Sequence, residues 1–170
     1  MKIYICPALM DALIFLVTFA VMYRAGEQGK SITQCALLAG LFQLVYMLTS
    51  LVVGFLLSRR NTQVILLASI VLCTLCGVTC LMAKEFLLVL VAFGCLGIFM
   101  ACFFNAFQAF MRTESAPGDL KRAISFYTLA WSLGSAAGIF SSGFFYQFGF
   151  HAVRPDHVGR HRDAGRVAYA

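Results

Sequence analysis

One carboxylate lies inside an unbroken run of apolar residues: Asp11, between Met10 and Ala12. An ionisable group in such surroundings is costly, and where one persists it is usually functional. Asp11 could bind a proton or the cationic group of a substrate. A structural account competes with this. Pro7 favours a helix start, which puts Asp11 in the first turn or just beyond, where the helix dipole stabilises a carboxylate. Asn105 and Gln108 lie three residues apart and so share a helix face. They could hydrogen-bond a substrate, or hold two helices together at roughly 0.6–2 kcal/mol per bond in lipid. Gln43 and Trp131 are candidates of the same kind, equally readable as packing or interface groups. Cys73, Cys76 and Cys80 also share a face. Three thiols could form a metal or redox site. No His or acidic partner accompanies them, so a small close-packing face is the better reading. No hydrolytic triad, phosphate loop or metal-ligand cluster is visible, and no cofactor is implied.

Composition names the elements that must position these groups. The chain is 61% hydrophobic and 12% charged, with a mean hydropathy of +0.87. A soluble domain is nearer half apolar and a quarter charged. A helix needs roughly 20 mostly apolar residues to cross the hydrocarbon core. Five runs qualify: Ile5–Tyr23, Ile32–Leu57, Val64–Met82, Phe86–Met111 and Ala123–Phe148. In lipid each segment must satisfy its own backbone polar groups, so the runs are expected to be helices. Strand alternation is absent, which disfavours a membrane barrel. The expectation is an all-α integral membrane protein: one five-helix bundle over residues 1–150. Its connections are Arg24–Ser31, Ser58–Gln63, Ala83–Glu85 and Arg112–Arg122, the last with Pro117-Gly118-Asp119 as turn chemistry.

Net charge +6 and a pI of about 9.1 would suit nucleic-acid binding only if the cations shared one face, and here they sit in loops and tail. Lys and Arg in short loops favour the cytoplasmic side. With the N-terminus inside, the inner segments carry Lys2, Arg59, Arg60, Arg112, Lys121 and Arg122, against Arg24, Lys30 and Lys84 outside. A multi-pass protein of the plasma (inner) membrane with a cytoplasmic N-terminus follows. Asp11 and the lack of a small-x-small site after Ala20 argue for a retained first helix rather than a cleaved signal.

Residues 151–170 differ in kind. They hold no Leu, Ile, Phe or Met, all three His, and Arg154, Arg160, Arg162 and Arg166. This basic non-membrane tail breaks the charge rule that the loops obey. A shifted reading frame would produce it. Translating the downstream DNA in the other two frames is expected to restore a sixth apolar span and a further six.

Span five carries a packing signal. Gly134, Gly138 and Ser142 recur every four residues, and small residues at this spacing let helix backbones approach closely. The contact could be static or could slide. A fainter echo, Gly54-Phe55 in span two and Gly143-Phe144 in span five, hints at a three-helix repeat of the kind found in secondary transporters.

Two stretches resemble the major facilitator superfamily. Gly54-Phe55-Leu56-Leu57-Ser58-Arg59-Arg60-Asn61 is similar to its loop signature: a Gly, three residues, an Asp, a basic residue, then a Gly and more basic residues. Ser58 replaces the Asp. Asn61 replaces the second Gly, and Asn tolerates a left-handed turn. Thr62 and Gln63 replace the trailing basic pair. The second stretch is Phe104-Asn105-Ala106-Phe107-Gln108-Ala109-Phe110-Met111, followed by Pro117, Arg122-Ala123, Ser125, Tyr127, Trp131, Gly134 and Gly138. The family's antiporter subset puts Pro after a Gly in the fifth helix; Ile139 follows Gly138 here, so antiport is not supported. The basic residue common early in the fourth helix is also absent, with Phe93 or a neighbour in its place.

The resemblance implies twelve helices in two six-helix halves, with solute bound between them. This chain would supply helices one to five. The first and fourth helices would line the cavity, bringing in Asp11, Asn105 and Gln108, with Gln43 and Trp131 as further lining. Gly54, Ser58, Arg59, Arg60 and Arg112 would form an inner gate, although topology control by positive charge explains the cations independently. Phe103, Phe104, Phe107 and Phe110 read as packing or lipid-facing. The leading expectation is a secondary carrier of a small solute, by alternating access, with a coupled proton or cation and the lipid bilayer as its surroundings. No nucleic acid is expected. As a partial bundle the chain is expected to show no transport alone. The alternative is a complete five-helix, non-enzymatic membrane protein acting by assembly with partners. A membrane-embedded enzyme ranks last, because only Asp11, Asn105 and Gln108 could converge.

Overall fold

The computed structural model describes residues 4–58, 61–114 and 119–149, with side chains through Phe144. Five helices fill them: α1 Ile5–Glu27, α2 Ile32–Leu56, α3 Thr62–Met82, α4 Phe86–Glu114 and α5 Leu120–Gly149. All five are long and apolar enough to cross a membrane, and no strand occurs among the described residues. Arg59, Arg60, Pro117, Gly118 and the tail lie outside the described residues.

The helices outrun the apolar stretches where polar residues can still be satisfied. The expected loop from Arg24 begins only after Glu27, because Arg24 stays helical and reaches across to α3. Its guanidinium donates to the carbonyls of Leu81 at 2.7 Å, Cys80 at 3.1 Å and Ala83 at 2.5 Å. Those carbonyls close the C-terminus of α3, where the dipole is negative and backbone acceptors lack intrahelical partners. Likewise Arg112–Glu114 and Leu120–Arg122 are helical, which shortens the expected loop between spans four and five. Helix α2 starts on a capping box: the Ser31 hydroxyl accepts from Gln34 N, and the Gln34 side chain accepts from Ser31 N.

Asn61 corrects one expectation. It is not left-handed, having φ −98°. Its side chain holds the turn instead, accepting from Ser58 N at 2.8 Å and donating to Leu56 O at 3.1 Å. Side-chain-to-backbone hydrogen bonds thus hold the turn that a glycine's backbone freedom would have allowed.

Packing makes two parallel pairs and one antiparallel pair. Helix α1 lies along α5, α2 lies along α4, and α3 runs against α4. Helix α4 is the most buried, with Phe93, Phe103 and Phe107 closed off almost completely. Phe103, Phe104 and Phe107 are therefore packing groups rather than lipid-facing ones. Helix α3 offers Ser69, Cys73, Gly77 and Cys80 as its buried face. The α1–α5 and α2–α4 pairs exchange under a shift of three helices, and each has a close approach. A Cβ on Gly97 of α4 would lie 2.9 Å from the Phe42 carbonyl oxygen of α2. A Cβ on Gly138 of α5 would lie 2.6 Å from the Ala12 carbonyl oxygen of α1.

Candidate functional site

The α1–α5 seam sets the position of the carboxylate. Gly134 and Gly138 on α5 face Ala8 and Ala12 on α1, small residues four apart on both sides. With no side chains between the backbones, Asp11 is drawn against α5, and the Ser135 hydroxyl donates to its Oδ2. The Trp131 side chain hydrogen-bonds the same carboxylate. Asp11 is only 3% exposed. It lies beyond the first turn of α1, which holds no acidic residue, so the dipole at the helix start does not account for it. Ser135 is near the middle residue of the thirty in α5. On α1 the carboxylate belongs to the second turn, the seventh of 23 residues, so it sits inside the bundle rather than at its end.

Polar groups from the other helices gather below it. Asn105 donates to Ser50 Oγ at 3.2 Å and to its own helix at Ala101 O, 2.8 Å. Ser50 also hydrogen-bonds Tyr46, and Tyr46 is close enough to feel the Asp11 charge. Gln108 donates to Tyr127 Oη at 3.4 Å. The Tyr127 ring stacks on Phe107 with centroids 5.7 Å apart and meets Phe104 edge-on at 6.5 Å. Tyr127, too, lies within the field of Asp11. Sequence reasoning did not assign Tyr46, Ser50, Tyr127 or Ser135 to the site. The spacing Gln43–Tyr46–Ser50 on one α2 face was the available signal for the first two. Gln43 itself is exposed on α2 and makes no side-chain hydrogen bond to this group.

Toward the end of the bundle that holds Tyr4, a cleft of about 360 Å³ opens between α2 and α4. Gly54, Ser58 and Thr62 line one wall, and Asn105, Gln108 and Arg112 the other. A second cleft of about 270 Å³ separates α4 from α5, and Gln108, Arg112, Tyr127 and Thr128 border it. Gln108 and Arg112 therefore stand where both clefts meet. Residues singled out separately as solute-binding and as gating share one space. Arg59 and Arg60 lie outside the described residues. Ser142 is buried on the α5 face toward α1, its hydroxyl donating to Ile139 O at 2.6 Å. No cluster of three or more His, Cys, Asp or Glu suited to a metal ion occurs among the described residues.

Comparison with curated proteins and with solved structures finds no match. The family model of the Major Facilitator Superfamily matches residues 3–153. That family consists of membrane transporters rather than enzymes. Five spanning helices, an interior polar group and a match over nearly the whole described bundle agree, and the chain belongs to the major facilitator superfamily.

Proposed function

We propose that this chain forms part of a secondary carrier that moves a small solute by alternating access, with Asp11 at the centre of its solute or ion site. The observation that carries the proposal is the Asp11 carboxylate itself: buried, held by Ser135 and Trp131 of α5, and within the field of Tyr46 on α2. Asn105, Gln108 and Trp131 complete the binding face, and Gln43 contributes from the exposed side of α2. Gly54, Ser58, Arg59, Arg60 and Arg112 form the gate at the end where α1 begins. The N-terminus faces the cytoplasm of a plasma-membrane protein, which the distribution of Lys and Arg supports.

A carrier of this kind alternates by rocking one helical unit against another around a fixed site. The two clefts meeting at Gln108 and Arg112 give one unit's share of such a path. The second wall comes from a further helical unit, so the five helices reconstituted alone show no saturable uptake. Robust uptake would support the alternative reading, in which five helices suffice by assembling with one another or with partners.

The site is testable without transport. Trp131 is the chain's single Trp, so indole fluorescence reports on the Asp11 carboxylate directly. Purified protein is expected to show a one-proton transition in Trp131 emission. Asp11→Asn is expected to abolish it. An unchanged transition in that variant would remove Asp11 from the site.

A further inference from the structure

We infer that the solute bound at this site is an organic cation, an inference that rests on reading Asp11 as part of the solute site. Asp11 is the one Asp, Glu, Lys, Arg or His in the interior of the five spans; the other charged residues of the bundle lie at helix ends and in loops. Its described partners are a hydroxyl and an indole, neither of which carries positive charge. An ionised carboxylate away from water demands a cation or a proton. The bundle supplies no internal cation among the described residues, so a bound solute can supply it.

The neighbours select the kind of cation. Trp131 on α5 hydrogen-bonds the carboxylate, Tyr46 on α2 and Tyr127 on α5 lie within its field, and Phe104 and Phe107 pack against the Tyr127 ring. Aromatic faces attract cations through the ring quadrupole, most strongly where water is excluded. They also cover apolar substituents. A small inorganic ion instead needs several oxygen ligands, and one carboxylate with hydroxyl neighbours provides few. A sugar would need many donors and acceptors, whereas the two amides of α4 are already paired: Asn105 with Ser50 and Ala101, Gln108 with Tyr127. A cationic centre carrying apolar groups fits one charge with aromatic neighbours and no internal counter-ion among the described residues.

The test uses the full chain in detergent and follows Trp131 emission. Tetraphenylphosphonium and tetraphenylborate match in shape and apolarity but differ in the sign of charge, and a neutral hexose represents the polar class. The expected result is a saturable change with tetraphenylphosphonium, none with tetraphenylborate or hexose, and binding weakened at least about tenfold in Asp11→Asn. Asp11→Glu, which keeps the charge, should retain binding and controls for misfolding. Saturable binding of the hexose or the borate in preference to the phosphonium overturns the cation assignment while leaving the solute site standing. Equal phosphonium binding by Asp11→Asn overturns the cation assignment as well. No response to any probe, together with an unaltered proton transition in Asp11→Asn, removes both the assignment and the site.

Discussion

The closeness of α1 and α5 fixes a number that a single methyl group can probe. A Cβ added at Gly138 would lie 2.6 Å from the Ala12 carbonyl oxygen, 2.8 Å from Phe15 Cβ and 3.0 Å from Ala12 Cα. Two of these three atoms belong to backbone, which cannot rotate away. Restoring ordinary contact requires α1 and α5 to part by about 0.8 Å at this point, and overpacking of this sort costs about 1–3 kcal/mol. The separation also strains the Ser135–Asp11 bond one turn away, so Trp131 emission should shift with the loss of stability. Gly143→Ala is the control. An added Cβ there meets nothing within 4 Å. On that surface Ala should stabilise the helix by about 0.5–1 kcal/mol, because it loses less backbone entropy than Gly. The assay is reversible unfolding in mixed micelles, with Trp131 emission of the folded state recorded for each variant. Gly138→Ala should fall below wild type and Gly143→Ala should match or exceed it. Equal stabilities and identical emission for the two variants would refute the close α1–α5 seam and with it the positioning of Asp11.

Two further outcomes follow from the hydrogen bonds. Arg24→Gln leaves the terminal carbonyls of α3 without their charged donor and should cost about 1.5–3 kcal/mol in the same unfolding assay, with Arg24→Lys recovering only part because an ammonium lacks the guanidinium fork. A fully stable Arg24→Gln protein would show that water replaces the clamp. Asn105→Leu removes the bond to Ser50 and should cost about 0.6–2 kcal/mol, the range for interhelical bonds in lipid. If Asn105 also contacts solute, the loss of probe affinity at Trp131 will exceed what this stability change explains; affinity equal to wild type assigns Asn105 to packing alone.

Much of the architecture was legible before any coordinates. Five apolar runs of span length allow only helices in lipid, and each run contains most of one observed helix. The stripe of Gly134, Gly138 and Ser142 announced a close contact without naming its partner. Boundaries were less legible, because they depend on distant groups. Arg24 is a poor membrane residue, yet it stays helical because α3 presents three carbonyls to it. Asn61 matched a glycine's place in a motif, but the turn is held by its amide rather than by a left-handed backbone.

The sequence by itself determined that the chain spans the membrane, that its helices are five over the described region, and that one carboxylate interrupts their apolar interior. Those properties come from composition and period, which act locally. Only the tertiary structure decided that Asp11 is buried against Ser135 and Trp131, and that Asn105, Gln108, Ser58 and Arg112 share one space. Residues 124 positions apart meet because two glycines let backbones approach where larger side chains would hold them apart. Which small faces pair with which is a property of the whole bundle, and no single segment contains it.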